Sequence, residues 1–279
     1  MVLKQNDIFR NVDGNEVGTG LWVPDEKDNS IPSLLMALGT RLDRKDAAEI
    51  IADPRRVPAR KRFPGKQFIK NQGRRGSCNG YAIAKTIEKM RVARGLAHIP
   101  LSGEFIYAGL NGGVDRGSGL KPGKQFAEMT GTVPESMVPH QEYLMRRIPK
   151  EVQQQAFRFK GLECYAAPDE ENLIAGHAYG FLAIVAVQFS SAMQRLDRNG
   201  VAGSSRGPGN HSVGTDDLRF RNGRAEFDFV NSHGLQYGEE GRAWITWEEH
   251  LAQTSERHQF WLLRSTTDDP QTDPTIEVT

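Results

Sequence analysis

The stretch Asn71-Gln72-Gly73-Arg74-Arg75-Gly76-Ser77-Cys78-Asn79-Gly80-Tyr81 decides how this chain is read. Glycines punctuate it up to the cysteine, and helical periodicity begins just after. Tyr81, Ala82, Ile83, Ala84, Ile87 and Met90 fall on one apolar stripe, so Cys78 opens a helix. A thiol there feels the positive end of the helix dipole, which favours the thiolate. Gln72 stands six residues upstream and brings a neutral amide that can donate a hydrogen bond. Together these read as a nucleophile beside part of an oxyanion hole. A single cysteine on a helix is more often a buried structural residue, so the rest of the chain has to decide between the two.

Outward from this loop, the chain divides by texture. Residues 1–57 form an N-terminal arm, polar and glycine-broken at first, with Trp22 as its one large apolar anchor. Its second part, Pro32 to Ile51, has helical spacing, with Asp46 a candidate cap for a second helix. From Pro58 a basic, proline-broken connector leads to the cysteine loop. Its arginines read as a solvated surface, or as a contact for an acidic protein. Residues 58–160 are mostly helical: Ser102 is a plausible N-cap for Phe105, Ile106 and Leu110, and a further helix is expected from Pro122 to Thr130. Residues 161–264 change to strands, expected at Gly161–Ala166, Phe181–Phe189, Ala225–Val230, Trp244–Trp247 and Phe260–Leu263, with a turn at Arg219–Gly223. Asp216 and Asp217 are expected in a turn, where an acid near His211 would tune its pKa. Residues 265–279 are a polar tail. The fold class is therefore α+β, with a cleft possible between a helical and a sheet half.

Composition narrows the function. The 279 residues are 38% hydrophobic and 25% charged with net charge +1, which suits a globular domain and gives no field that would draw nucleic acid or an anionic membrane. The longest apolar run, Tyr179 to Val187, is too short to span a bilayer. The seven histidines are scattered and the two cysteines lie apart, so no metal or cofactor is expected. Two cysteines also rule out a disulfide framework and suit a reducing compartment. With no signal peptide at the N-terminus, the expected location is the cytoplasm or the interior of a large assembly such as a virion. Cys164 reads as a small buried hydrophobe, and His98, His140, His177, His250 and His258 as ordinary histidines.

A nucleophilic cysteine needs a base, and the base needs a partner that fixes its tautomer. Gly209-Asn210-His211-Ser212-Val213 supplies a histidine at a strand start, and Asp228-Phe229-Val230-Asn231-Ser232-His233-Gly234 supplies an amide at a strand end. His211 and Asn231 follow Cys78 by about 130 and about 150 residues, the interval papain shows from its nucleophile to its own His and Asn. On these motifs the chain resembles the papain-like (C1-type) cysteine peptidases over roughly Pro58 to Arg264. That family's Gln stands six residues before its Cys, as Gln72 does here, and its N-S-W-G appears as Asn231-Ser232-His233-Gly234. The glycine-rich turn and aromatic that follow appear as Tyr237 to Trp244. Leu101-Ser102, Gly117, Gly119 and Pro134-Glu135-Ser136 keep the family's order.

The resemblance implies a two-lobed fold and a cysteine-type peptidase, or related acyl transferase, acting on a protein or peptide. Cys78 would be the nucleophile, paired with protonated His211. Asn231 would orient His211, and Gln72 with the Cys78 backbone N–H would form the oxyanion hole. Gly117 or Gly119 would offer backbone to an extended substrate, and His233 would face the same site. Three positions depart from the family pattern. Arg75 replaces a disulfide cysteine, Asn79 replaces the aromatic after the nucleophile, and His233 replaces the Trp that shields the His–Asn bond, leaving that bond expected to be wetter. The arm would then be an inhibitory pro-segment or a docking element for a protein partner. The rival expectation is an assembly protein, such as a virion component, that keeps the fold without turnover.

Overall fold

A computed structural model describes residues 8–10, 16–22, 33, 35, 37, 39, 42–252 and 261–266. The side chain of Trp22, His258, Phe260 and the tail beyond Thr266 lie outside the described residues. In the arm, β1 (Ile8–Arg10) pairs antiparallel with β2 (Glu16–Gly18), and β3 (Leu21–Trp22) follows. Helix α1 spans Arg44–Ala52. Its cap is Asp43 rather than Asp46, because the Asp43 carboxylate accepts the N–H of Asp46, which lies inside the first turn.

The cysteine helix α2 (Cys78–Ala93) is the axis of the molecule. The apolar stripe read from the sequence is present, but every residue from Cys78 to Arg91 is buried. The polar face is enclosed too, because the helix lies between the helical half and the sheet. Its charges are therefore paired. Lys89 meets Asp216 at 2.6 Å, Glu88 meets Lys70 at 2.8 Å, and Lys85 Nζ donates to the carbonyls of Val230 and Asn231 at 2.9 and 2.8 Å. On its helical side lies α3 (Gly103–Leu110), capped by Ser102 as expected. The two backbones approach closely at Gly80 and Gly103, where an added Cβ on Gly103 would stand 2.6 Å from the Tyr81 ring. β4 (Ser118–Gly119) leads into α4 (Leu120–Met129). Short helical turns at Lys150–Gln153 and Ala156–Arg158 follow before the sheet begins.

The second half is a six-stranded antiparallel sheet. Its strands are β5 (Gly161–Ala166), β6 (Leu182–Val187), β7 (His211–Arg221), β8 (Arg224–Val230), β9 (Arg242–Thr246) and β10 (Trp261–Thr266), in the order β5-β10-β6-β7-β8-β9. Helix α5 (Glu170–Ala178) connects β5 to β6. The β7–β8 turn is tighter than expected: only Asn222 and Gly223 form it, at φ 50° and 74°, as a two-residue hairpin requires. Asp216 and Asp217 accordingly lie within β7, not in a turn. The register shifts between Thr215 and Leu218, and both acids are buried there. Asp216 meets Lys89 and Arg242, and Asp217 meets Arg56. Arg60 binds Asp228 at 2.9 Å. So Arg60 of the basic connector, with Arg56 just before it, ties this stretch to the sheet. Trp247 begins a helical turn after β9 and is not part of the strand. One continuous apolar core joins α2 (Ala82, Ile83, Ile87) to the sheet (Val185, Val213, Phe229), so the two halves share their packing.

Candidate active site

The hairpin geometry brings His211 to Asn231. His211 is the first residue of β7, and Asn231 is the first residue past β8. Antiparallel strands return their far ends to the same edge, so the two side chains meet there: His211 Nε2 lies 2.8 Å from Asn231 Oδ1. The backbone N–H of Ser232 also donates to Oδ1 at 2.8 Å, which fixes that atom as the amide oxygen. His211 therefore donates from Nε2 and carries its lone pair on Nδ1. That Nδ1 is buried without a hydrogen-bond partner. Lys85, two turns along the cysteine helix, holds the Asn231 carbonyl from below.

Cys78 opens α2 as expected and packs against the start of β7. The N–H of Ser212, next to His211, points at the sulfur. Burial pushes the thiol up to about 11, against the opposing pull of the N–H groups of Ser212 and Gly20. Burial likewise pushes His211 down to about 4, with Asn231 opposing and Lys85 adding to the depression. In this conformation the pair is a neutral thiol and a neutral imidazole. The dipole at the helix start favours the anion, but desolvation outweighs it.

The arm covers the thiol in part, its Gly20 N–H pointing at the sulfur. Its segment Gly18-Thr19-Gly20 is buried in the cleft. Gly18 donates to the Gly73 carbonyl at 3.0 Å, Ser118 donates to the Gly20 carbonyl at 2.7 Å, and β3 pairs in parallel with β4. An added Cβ on Gly20 would stand 2.5 Å from the Cα and O of Gly76, and one on Gly18 would stand 2.6 Å from the Arg74 carbonyl oxygen. Gly117, at φ 86°, has no room for a Cβ against the Gly20 carbonyl. Backbone is stacked on backbone, and glycine at these positions permits it.

Gln72 is fully buried, and its Nε2 donates to the Gly18 carbonyl at 2.9 Å and to the Arg75 carbonyl at 2.9 Å. Its amide thus holds a carbonyl of the arm against the cysteine loop. Gly117 and Gly119 flank the cleft edge, but the residue whose N–H reaches across is Ser118, which sequence reading missed. Asn79 is also more than a departure from a family pattern. It is fully buried, and its Nδ2 donates to the Gly119 carbonyl at 2.7 Å, tying the cleft edge to the cysteine helix. Its amide in a helix's first turn was the available signal.

His233 lies over His211, ring centroids 4.8 Å apart and 32° between planes, and Phe189 meets it edge-on at 5.0 Å. The expectation of a wetter His–Asn bond is overturned. His211 and Asn231 are fully buried, because the rings of His233 and Phe189 cover them. Of the histidines read as ordinary, His177 bonds Thr215, His98 and His140 meet Glu88 and Glu104, and His250 meets backbone. Cys164 is buried, and both cysteines are free. Among the described residues no cluster of His, Cys, Asp or Glu could hold a metal ion, and no helix is long and apolar enough to cross a membrane.

Solved structures share this architecture. Xylellain, a cysteine protease from Xylella fastidiosa, superposes with a TM-score of 0.67 at 21% identity, covering 95% of this chain and 99% of that one. Digestive procathepsin L 3 of the Tenebrio molitor larval midgut gives 0.57 at 15% identity, covering 83% and 86%. The Amb a 11 cysteine protease, a major ragweed pollen allergen in its proform, gives 0.53 at 18% identity, covering 77% and 67%. No protein-family model and no curated protein matches the chain. At these identities the likeness is one of fold: the chain has the papain-like, two-lobed α+β fold.

Proposed function

We propose that the protein is a cysteine peptidase, or a closely related acyl transferase, held latent by its own arm. One observation carries the reading: His211 bonds Asn231 in the tautomer a general base needs, against the helix start that bears Cys78. When the arm leaves, water and substrate enter and the desolvation that keeps both groups neutral is relieved. The thiol proton passes to His211 Nδ1, and Asn231 holds the resulting imidazolium. The thiolate adds to the carbonyl carbon of a peptide bond, and the oxygen takes the charge facing Gln72 Nε2 and the Cys78 N–H. His211 then protonates the leaving amine. Water, or another amine in an acyl transfer, resolves the thioester. Ser118 supports an extended substrate through its N–H, with Gly117 and Gly119 leaving the backbone open. Two of the fold neighbours are described as pro-forms, which supports reading the arm as a latency segment. Free, buried cysteines support a reducing setting, in the cytoplasm or inside a large assembly.

A second reading is favoured by the same arm: a cleft filled by backbone and a neutral thiol suit an assembly protein that never turns over, its arm a docking element for a protein partner. Labelling with an epoxide or vinyl-sulfone probe separates the two. A peptidase is labelled in the parent and in neither Cys78→Ala nor His211→Ala. Labelling that is absent, or indifferent to both substitutions, removes the peptidase reading.

A further inference from the structure

The arm does more than block the cleft, because its Gly18 carbonyl marks where a carbonyl oxygen is received. Two side chains reach that oxygen: Gln72 Nε2 at 2.9 Å and, from the opposite lobe, His233 Nε2 at a longer 3.4 Å. The tautomer of His233 follows from its neighbours. Asn231 Oδ1 accepts from both His211 and Ser232, so Asn231 Nδ2 faces the other way, 3.2 Å from His233 Nδ1. An amide N–H donates, so His233 Nδ1 accepts, and the ring proton resides on Nε2, aimed at the Gly18 carbonyl. One asparagine thereby sets two imidazoles in opposite senses: His211 with a lone pair free on Nδ1, and His233 with a proton free on Nε2.

Resting on the peptidase reading, we infer that His233 is a further catalytic residue: a neutral imidazole whose Nε2–H donates to the oxyanion together with Gln72. As the Cys78 thiolate adds to the carbonyl carbon, the π electron pair moves onto oxygen. His233 stabilises that charge by hydrogen bonding and keeps its proton throughout. A donor that stays neutral suits the task, since an imidazolium beside His211 would oppose protonation of the base. The surroundings hold it so. Burial, then the proximity of His211, lowers the basicity of His233 well below the ordinary histidine range. An aromatic hydrocarbon at this position would shield His211 equally well but offer the oxygen nothing.

The test uses the full-length chain with His233→Gln and His233→Met. Both remove the ring stacked on His211 and have similar length, but only Gln presents an N–H near the position of Nε2. Two reactions of Cys78 are followed. Alkylation by iodoacetamide displaces iodide at a saturated carbon and forms no oxyanion. Hydrolysis of the p-nitrophenyl ester of N-benzyloxycarbonylglycine passes through one. His233→Met should lower kcat for the ester about 100-fold, the usual effect of losing one oxyanion donor. His233→Gln should stay within about tenfold of the parent, while both variants alkylate at similar rates. Equal ester turnover in the two variants, relative to their alkylation, overturns the inference and leaves the peptidase reading standing. Loss of alkylation in both also overturns it, since the imidazole then serves the architecture of the site. A parent that neither alkylates at Cys78 nor hydrolyses the ester fails as a peptidase, and the inference falls with it.

Discussion

Replacing Gly20 by alanine tests the closed arm most directly. A Cβ there would stand 2.5 Å from the Cα and carbonyl oxygen of Gly76 and 2.8 Å from its carbonyl carbon. These are backbone atoms in the cysteine loop, which α2 holds from behind, so the neighbour has no easy movement. Overpacking of this kind costs about 1–3 kcal/mol. The strain exists only while the arm is seated, and vanishes when it lifts. The open population therefore rises by roughly 5- to 150-fold, at about 1.4 kcal/mol per factor of ten. While the open fraction is small, the rate of Cys78 alkylation is proportional to it. Alkylation by iodoacetamide should then accelerate by at least about fivefold in Gly20→Ala. Gly18→Ala should act in the same direction, because its Cβ would stand 2.6 Å and 2.7 Å from the carbonyl oxygens of Arg74 and Arg75. The two substitutions press on one seated segment, so the double variant should fall short of the product of the single effects. Gly180→Ala is the control: it adds a methyl group, and the strain of a positive φ, with nothing within 4 Å and away from the arm. An alkylation rate in Gly20→Ala within twofold of the parent would refute the closed-arm account of the buried thiol.

Three further outcomes are expected. Asp216→Ala should destabilise the protein by about 3–5 kcal/mol in urea unfolding, because it strands the buried Lys89, which meets that carboxylate at 2.6 Å, and leaves Arg242 with Asp228 alone; a loss below about 1 kcal/mol would contradict it. Lys85→Met should cost about 1–3 kcal/mol in the same experiment, since the carbonyls of Val230 and Asn231 lose a buried donor. Acid should unfold the protein: burial first of all holds His177 and His211 down at about 4, against 6.5 for the free group. The unfolded chain therefore takes up protons that the folded one refuses. Their stabilising contribution is complete above pH 6.5 and is lost as the pH falls toward about 4, on the order of 3 kcal/mol per histidine. Thermal melts should show the midpoint dropping by several degrees from pH 7 to pH 4.5, and a flat midpoint would exclude the neutral buried state.

Much of the site was legible from residue order alone. A glycine-broken loop before an apolar helical stripe places Cys78 at a helix start. A histidine at a strand start and Asn231 at a strand end put the two on one sheet edge, although the turn between those strands was read as Arg219–Gly223 and is only Asn222-Gly223. These are local rules, carried by periodicity and turn chemistry between residues near in sequence. Ser102 as a cap and Cys164 as a buried thiol were legible for the same reason.

What sequence could not decide depends on partners far along the chain. Nothing local to the cysteine helix says that Asp216 arrives beside Lys89, 127 residues away. Asp216 and Asp217 resembled turn residues until the register shift in β7 turned them toward buried cations. Asn79 and His233 read as losses from a family pattern. Only the fold shows Asn79 holding the cleft edge and His233 covering the His–Asn bond. The protonation states of Cys78 and His211 lie furthest from sequence. Spacing identifies the pair, but its charge follows from the water around it, and that is set in part by where Gly18, Thr19 and Gly20 lie in the folded chain.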